Sequence, residues 1–404
     1  MSDSLPRLVL TGASGFVGRT FLLAAQDQYR IYAIARRSQQ ESRVPRHPNI
    51  EWIQVDIGNA EAVERVTDQI EANGGADFVL HLAAYYDFAN NDRPEYQLTN
   101  VEGTRHLLEQ AKRLDVKRFI FASSVAACPL PAPGCAIDED SPPDADFPYA
   151  RSKKAGELMM REYSQWFPCT TVRLAAVFSD WCEYPPLYVF LGTWLSRAWN
   201  ARILGGRGAS AVPYIHSRDL NRLFACLLHE VRPPGFAVYI ASPQGATSHR
   251  ELFDLATRFR FGQARQPILI PKPLAAVGVA LRDLFGRTIG DRPFERLWMM
   301  RYLDTSLTVD ASRTYELLGW MPTPRLHITR RILFLIEKMK SHAREWNLLN
   351  EAAMKRSHDR PALAIHDAMM EAQEAIVDSI TAYLLSPVRE ERFPHYAEMS
   401  YDEV

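Results

Sequence analysis

Arg7-Leu8-Val9-Leu10-Thr11-Gly12-Ala13-Ser14-Gly15-Phe16-Val17-Gly18 decides the fold. Arg7 to Leu10 is a short apolar strand, and from Phe16 to Ala25 the residues Phe16, Val17, Phe21, Leu22 and Ala25 recur at helical spacing. A strand, a glycine turn and a helix form the context that receives a dinucleotide. Gly12 permits the tight exit from the strand, Gly15 lets backbone N–H groups approach a pyrophosphate, and Gly18 lets helix and strand pack closely. The spacing Gly-x-x-Gly-x-x-Gly is one residue longer than the commonest fingerprint, so this run alone would also suit an ordinary glycine-rich turn.

Working outward, Ile31 to Ala35, Ile50 to Val55, Phe78 to Leu82, Arg118 to Ala122 and Thr170 to Leu174 read as buried strands. Between them lie helical patterns over Ala60 to Glu71, Glu95 to Leu114 and Tyr149 to Trp166. This alternation predicts an α/β fold: a doubly wound, Rossmann-like parallel sheet of about seven strands with helices on both faces. A smaller α/β substrate-binding part is expected from 178–203 and 248–320, beside a nucleotide-binding core over 5–177. The main domain would then span 1–335, with a helical C-terminal extension over 336–404.

The chain has 404 residues and a formal net charge of −1, so nothing points to nucleic acid. Cys128, Cys135, Cys169, Cys182 and Cys226 include no Cys-x-x-Cys pair, and no His-Glu-x-x-His occurs, so no metal site is expected. A reduced, cytoplasmic protein follows from this cysteine usage. The N-terminus reaches its first strand without a hydrophobic signal region. Ile268 to Leu281 is the most apolar later stretch, but Pro271 and Pro273 interrupt it and it is too short to span a bilayer. We read it as a buried helix in preference to one lying on a membrane surface.

The end of the second strand speaks to the cofactor. An acid there would accept the ribose hydroxyls of NAD, whereas a cation accommodates the extra phosphate of NADP. The residues are Arg36 and Arg37, whose guanidinium groups can grip a phosphate, so NADP is expected, with NAD as the alternative. Asp56 would sit at the adenine edge or cap the following helix.

Reducing a carbonyl needs a proton at oxygen beside a hydride at carbon. A phenol with a free pKa near 10 is slow in that role until something lowers the value. Lys153 lies four residues after Tyr149, on the same helical face, where its charge favours the phenolate and its ammonium can reach the nicotinamide ribose. Ser124, at a strand end, can hold the substrate oxygen, with Ser123 as a second hydroxyl close by.

These residues together resemble the extended short-chain dehydrogenase/reductases of the NAD-dependent epimerase/dehydratase superfamily. The similarity rests on Thr11 to Gly18, His81-Leu82-Ala83-Ala84, Asn100-Val101-Glu102-Gly103-Thr104, and Ser124 with Tyr149-Ala150-Arg151-Ser152-Lys153. It continues through Tyr214-Ile215-His216-Ser217-Arg218-Asp219-Leu220 and Leu318-Gly319-Trp320-Met321-Pro322, covering roughly residues 5–335. The resemblance implies Ser124, Tyr149 and Lys153 as catalytic residues and Asn100 as an ordering residue. Cofactor contacts are expected from Gly12, Ser14, Gly15, Phe16, Val17, Gly18, Arg36, Arg37, Asp56, Ile57, Leu82, Ala83, Ala84, Asn100, Tyr149 and Lys153.

Two departures bear on the subgroup. Sugar-nucleotide members usually place an asparagine shortly after the arginine of the sixth strand and an arginine ahead of Tyr-Ile-His; here the segments read Arg173-Leu174-Ala175-Ala176 and Ala211-Val212-Pro213-Tyr214. His81 to Phe88 is instead similar to dihydroflavonol-reductase-like and 3β-hydroxysteroid-dehydrogenase-like members, which act on apolar carbonyls or alcohols. Tyr85, Tyr86 and Phe88, with Phe178, Trp181, Tyr184, Tyr188, Phe190 and Trp194, suit an aromatic substrate wall or an ordinary core. The expectation is therefore an NAD(P)-dependent oxidoreductase acting on a moderately large apolar small molecule. The alternatives are a sugar-nucleotide epimerase or dehydratase with recycled nicotinamide, and a cofactor-sensing interaction protein.

The loop Pro129 to Pro148 could close over a substrate or serve as a stiff connector. His81 and His216 read as structural, with Ser217 or Asp219 capping the helix after His216. Arg325 to Lys355 reads as one long helix, and after Pro361 a second pattern aligns Met369, Ala372, Ile376, Ile380 and Tyr383. Such helices would bury their stripe on the substrate part, on a second copy in a homodimer, on a partner or, ranked last because neither helix is markedly basic, on a membrane surface. Pro387 to Val404 reads as a loose tail.

Overall fold

The computed structural model describes residues 5–230, 233–289 and 294–356. Seven parallel strands form the central sheet: β1 (Arg7–Thr11), β2 (Arg30–Ala35), β3 (Ile50–Gln54), β4 (Phe78–His81), β5 (Arg118–Ser124), β6 (Cys169–Leu174) and β7 (Phe236–Ala241). Their spatial order is β7-β6-β5-β4-β1-β2-β3, every neighbouring pair parallel. The winding reverses between β1 and β4, which opens a crevice at the C-terminal ends of those two strands. The doubly wound expectation holds; β7 lies outside the strands read from sequence.

Alternation along the strands sorts the sheet's two faces. Leu8 and Leu10 of β1 point to one side, where α1 (Phe16–Ala25) and α6 (Ser217–His229) bury Phe21, Leu22, Leu220, Leu223, Phe224 and Leu227. Val9 points to the other side, against α2 (Ala60–Ala72), α3 (Gly103–Arg113) and α4 (Pro148–Tyr163), with Phe119 and Phe121 of β5 in the same layer. Helices on both faces are what continuous apolar strands require.

A third core brings together α5 (Pro185–Trp194), α7 (His249–Phe261), α10 (Ile328–Ser341) and Trp346 of α11 (Ala343–Arg356), while the short α9 (Ser312–Leu318) packs Tyr315 and Leu318 on the α1 and α6 side of the sheet. The anticipated boundary at 335 thus falls inside α10, and Ile336 and Trp346 pack with Leu191, Phe253 and Ile332. The single long helix expected from Arg325 to Lys355 is broken. Its first turn is a short 3-10 segment at Pro324–Leu326, and His342, at φ −130 and ψ 49, separates α10 from α11.

Ile268 to Leu281 also departs from expectation. Pro271 ends a short strand, Ile268–Ile270, which pairs with Ile203–Gly205, and Pro273 sits in the first turn of α8 (Lys272–Ile289). This helix is not buried: it turns Leu274, Val277 and Leu281 outward at 63%, 56% and 62% exposure, with the small residues Ala275, Ala276 and Ala280 on its less exposed side. No helix among the described residues is long and apolar enough to cross a membrane.

The chain forms two compact units, residues 1–281 with 294–358 and residues 282–293 with 359–404. In the second, Arg287 holds Asp283 at 2.8 Å along the end of α8. The helical pattern after Pro361 and the tail beyond Pro387 lie outside the described residues. All elements discussed below belong to the first unit.

Close backbone approach explains the glycine run. Gly12 has φ +71, and a Cβ there would fall 2.6 Å from the Ala83 nitrogen, so β1 exits directly against the end of β4. A Cβ on Gly18 would lie 2.2 Å from the Gly12 carbonyl oxygen. Because neither neighbour is a flexible side chain, Gly18→Ala must push α1 off the turn. We expect a cost of roughly 1–3 kcal/mol, read as a lowered Tm in thermal denaturation.

Candidate functional site

Gly15 precedes α1 in an extended conformation and no side chain caps the first amides of that helix. Its own N–H donates to the Gly12 carbonyl at 2.9 Å, and Ala13 N–H donates to the Ile34 carbonyl at 3.2 Å, which ties the turn to β2. An uncapped helix N-terminus behind a glycine turn, free of Cβ atoms where backbone comes closest, fits the diphosphate of a dinucleotide. Arg37 crosses this turn and donates to the Ser14 carbonyl; burial and the nearby Arg19 lower its pKa. Arg36 is turned away, 4.0 Å from the Asp56 carboxylate at the end of β3, with both side chains about half exposed. Asp56 also accepts from Gly58 N–H at 2.9 Å, while Asn59 caps α2. Ile57 is buried under Gly103, and its carbonyl accepts from His106. The structure therefore brings Gly12, Ser14, Gly15, Phe16, Val17, Gly18 and Arg37 to one turn, with Leu82, Ala83 and Ala84 across from it at the end of β4. Ile57 points into the core.

Ser124, Tyr149 and Lys153 converge at the ends of β5 and α4. The Ser124 hydroxyl is the polar neighbour that opposes burial at the Tyr149 phenol, and its oxygen accepts from Ala126 N–H at 3.2 Å. Lys153 is 3% exposed; its Nζ donates to the Ala122 carbonyl at 2.8 Å and lies 5.7 Å from the centre of the Tyr149 ring. Gly156 makes this depth possible: a Cβ there would meet the Phe121 ring at 2.4 Å, so α4 lies flush on β5. Asn100 lies in a π-helical segment, Tyr96–Glu102, that precedes α3. Its amide accepts from Tyr85 N–H at 2.6 Å and donates to the Tyr85 carbonyl and the Ser152 hydroxyl, both at 2.9 Å. The wider turn lets one side chain bolt the β4 loop to α4. Tyr86 follows in that loop, its ring 4.6 Å from that of Tyr149, and Phe88 beyond it packs on Phe294.

A model of the NAD dependent epimerase/dehydratase family matches residues 8–240. The chain belongs to this family. Among its relatives are a uronate dehydrogenase of Pseudomonas syringae pv. tomato, 32% identical over 47% of this chain and 65% of that protein, and a 3 beta-hydroxysteroid dehydrogenase/Delta 5-->4-isomerase of Mycobacterium tuberculosis, 28% identical over 31% of this chain and 33% of that protein. The chain thus spans between about a third and two thirds of these relatives. The fold is similar to that of a UDP-glucose 4-epimerase from Thermotoga maritima, with a TM-score of 0.64, 19% identity and coverage of 83% of this chain and 99% of that one.

In this epimerase/dehydratase chain several residues do other work than the sequence suggested. Ser123 does not stand beside Ser124 as a second hydroxyl for substrate: it faces away and donates to Glu157 at 2.5 Å. Lys153 does not depress the Tyr149 pKa either. Burial pushes the phenol up to about 12, opposed only by the neighbouring Ser124 hydroxyl, because the ammonium is turned to the Ala122 carbonyl and is itself held down to about 8 by burial. His216 caps α6 itself, its ring accepting from Arg218 N–H at 3.1 Å, in place of Ser217 or Asp219. His81, as expected, is a satisfied core residue between Thr11 and Thr104, and burial lowers its pKa to about 3.

The aromatic residues divide. Tyr86 and Phe88 gather near Tyr149, whereas Phe178, Tyr184, Tyr188, Phe190 and Trp194 serve the third core and Trp181 packs under Lys338. The middle of the 129–148 loop is a connector, since Ile137 exchanges backbone bonds of 2.8 Å with Thr308 and Asp310. Sequence reasoning missed Trp298, whose indole donates to the Phe88 carbonyl at 3.1 Å, and the buried pair Glu157 and Arg173. An arginine inside the apolar β6 was the available signal for that pair.

Lys153 gives a stability test. Its proton is lost near pH 8 in the folded chain but near 10.5 when unfolded, so between these values the unfolded state binds more protons and stability rises with pH. Lys153→Met should abolish that rise, flattening Tm against pH from about 8 to 10 relative to the wild type, and should raise Tm at pH 7.

Proposed function

We propose that this chain binds NADP(H) at the Gly12–Gly18 turn and reduces a carbonyl, or oxidises a secondary alcohol, on a moderately large apolar molecule. The observation that carries this reading is the convergence of Ser124, Tyr149 and Lys153 beside the Tyr86 ring. The dinucleotide, when bound, supplies or accepts the hydride; the protein's own groups handle position and proton. Ser124 holds the substrate oxygen and orients the Tyr149 hydroxyl. Tyr149 gives that oxygen its proton in reduction and takes it back in oxidation. A phenol kept protonated by burial suits donation. Lys153, one turn further along α4, supplies the ammonium that would bond the nicotinamide ribose beside that phenol.

The substrate class is supported by Tyr86 and Phe88, with Phe294 and Trp298 behind them, and by the similarity to a hydroxysteroid dehydrogenase. It is also supported by the lack of a phosphate-binding side chain in Leu174-Ala175-Ala176 and ahead of Tyr214. The cofactor is supported by Arg37 lying across the glycine turn with no acid at the end of β2.

Tyr149→Phe should reduce turnover by a factor of about 10²–10⁴ in an NADPH-consumption assay with a panel of apolar ketones, with NADPH binding retained. Full activity in that variant would overturn the proton-donor assignment, and conversion of a sugar nucleotide without net NADPH loss would replace the reductase reading by that of an epimerase. Arg37→Ala should weaken NADPH binding by roughly 10- to 100-fold while sparing NADH, measured by nucleotide fluorescence. Equal losses for both nucleotides would remove the 2′-phosphate role.

A further inference from the structure

Behind the site lies a buried ionic bracket that none of the roles above uses. Glu157 stands one helical turn beyond Lys153 on α4, and its side chain is 6% exposed. Its carboxylate accepts from the Arg173 guanidinium of β6 at 3.1 and 2.8 Å and from the Ser123 hydroxyl of β5 at 2.5 Å. Arg173 is itself 3% exposed, and its remaining nitrogen donates to the Ser141 carbonyl at 2.7 Å and the Asp138 carbonyl at 3.2 Å. The bracket therefore joins the ends of β5 and β6, the middle of α4 and the connector loop at one carboxylate.

Its position matters because of what surrounds Lys153. From β5 the ammonium meets the Ala122 carbonyl and the Phe121 ring, 4.8 Å to its centre; from β4 it faces His81, which burial keeps neutral; from α4 it faces the Tyr149 phenol. None of these carries a negative charge, and burial alone drives a lysine towards its neutral form. Glu157 is the carboxylate that opposes burial at Lys153. A carboxylate free to titrate or rotate would be a poor anchor for that effect. Arg173 and Ser123 remove both freedoms by filling its oxygens with donors.

We infer that Glu157, locked by Arg173 and Ser123, is a positioning residue that keeps Lys153 charged and seated against the end of β5. The same Ser123 contact fixes the backbone beside Ser124, so one carboxylate sets the charge of the ammonium and the place of the serine hydroxyl. This rests on the reading of Lys153 as the ammonium of the proton-transfer pair.

The test does not need the substrate. Full-length protein carrying lysine labelled with 13C at Cε is titrated by NMR, with the Lys153 signal assigned by its loss in Lys153→Met. The wild type should titrate near pH 8. Glu157→Gln should shift the midpoint downward, and Glu157→Asp should restore part of the shift. Glu157→Gln leaves Arg173 buried and uncompensated, so Glu157→Gln with Arg173→Met, which removes both charges, is the deciding variant if the single one fails to fold. Its midpoint should be as low as that of Glu157→Gln. Ser123→Ala keeps the ion pair and should leave the midpoint close to the wild type. A double variant with melting temperature altered but the Lys153 midpoint unmoved would mean that the bracket is merely structural. That result would overturn this inference and leave the Tyr149 assignment standing, since Tyr149→Phe is judged by turnover.

Discussion

The bond from Lys153 Nζ to the Ala122 carbonyl is the contact on which the site depends. It needs α4 to lie directly on β5, which Gly156 allows by leaving room for the Phe121 ring. It also takes an ammonium out of water, an arrangement that is costly unless compensating groups are built in. Much of the surrounding sequence supplies that compensation: a main-chain carbonyl at a strand end, an aromatic face, and a carboxylate one turn away clamped by an arginine. Seen this way, Ser124, Tyr149 and Lys153 are one edge of a larger polar assembly that reaches along the sheet to β6.

Fold and site were legible to different depths for physical reasons. The β1 turn was readable because its cues are local: apolar residues for the strand, then three glycines where no Cβ fits. Tyr149 and Lys153 were readable because helical period alone puts them on one face. The strand β7 was missed because Phe236–Ala241 follows a Pro-Gly segment and has no motif of its own. The helix break at His342 was hidden by the apolar period, which continues from α10 into α11 while the backbone does not.

Long-range partnerships were the least legible. Nothing in the local sequence says that Ser123 turns to Glu157 while Ser124 turns to Tyr149, because alternation along a strand sends neighbours to opposite sides without naming what waits there. Nor could spacing show that Lys153 would spend its hydrogen bond on a carbonyl, leaving burial to dominate the phenol. Ile268 to Leu281 failed for another reason: apolarity was read as burial, but the prolines split it and Leu269, Leu274 and Leu281 face outward.

The reversal of winding at the middle of the sheet also governs how the chain is assembled. Thr11 and His81 are neighbours in β1 and β4 although 70 residues separate them in sequence. β1, α1 and β2, by contrast, can meet through a short crossover. Closing the longer loop carries the larger entropy cost of the two. The crevice that would hold the dinucleotide therefore depends on this long-range pairing, since without β4 the glycine turn has no opposing wall.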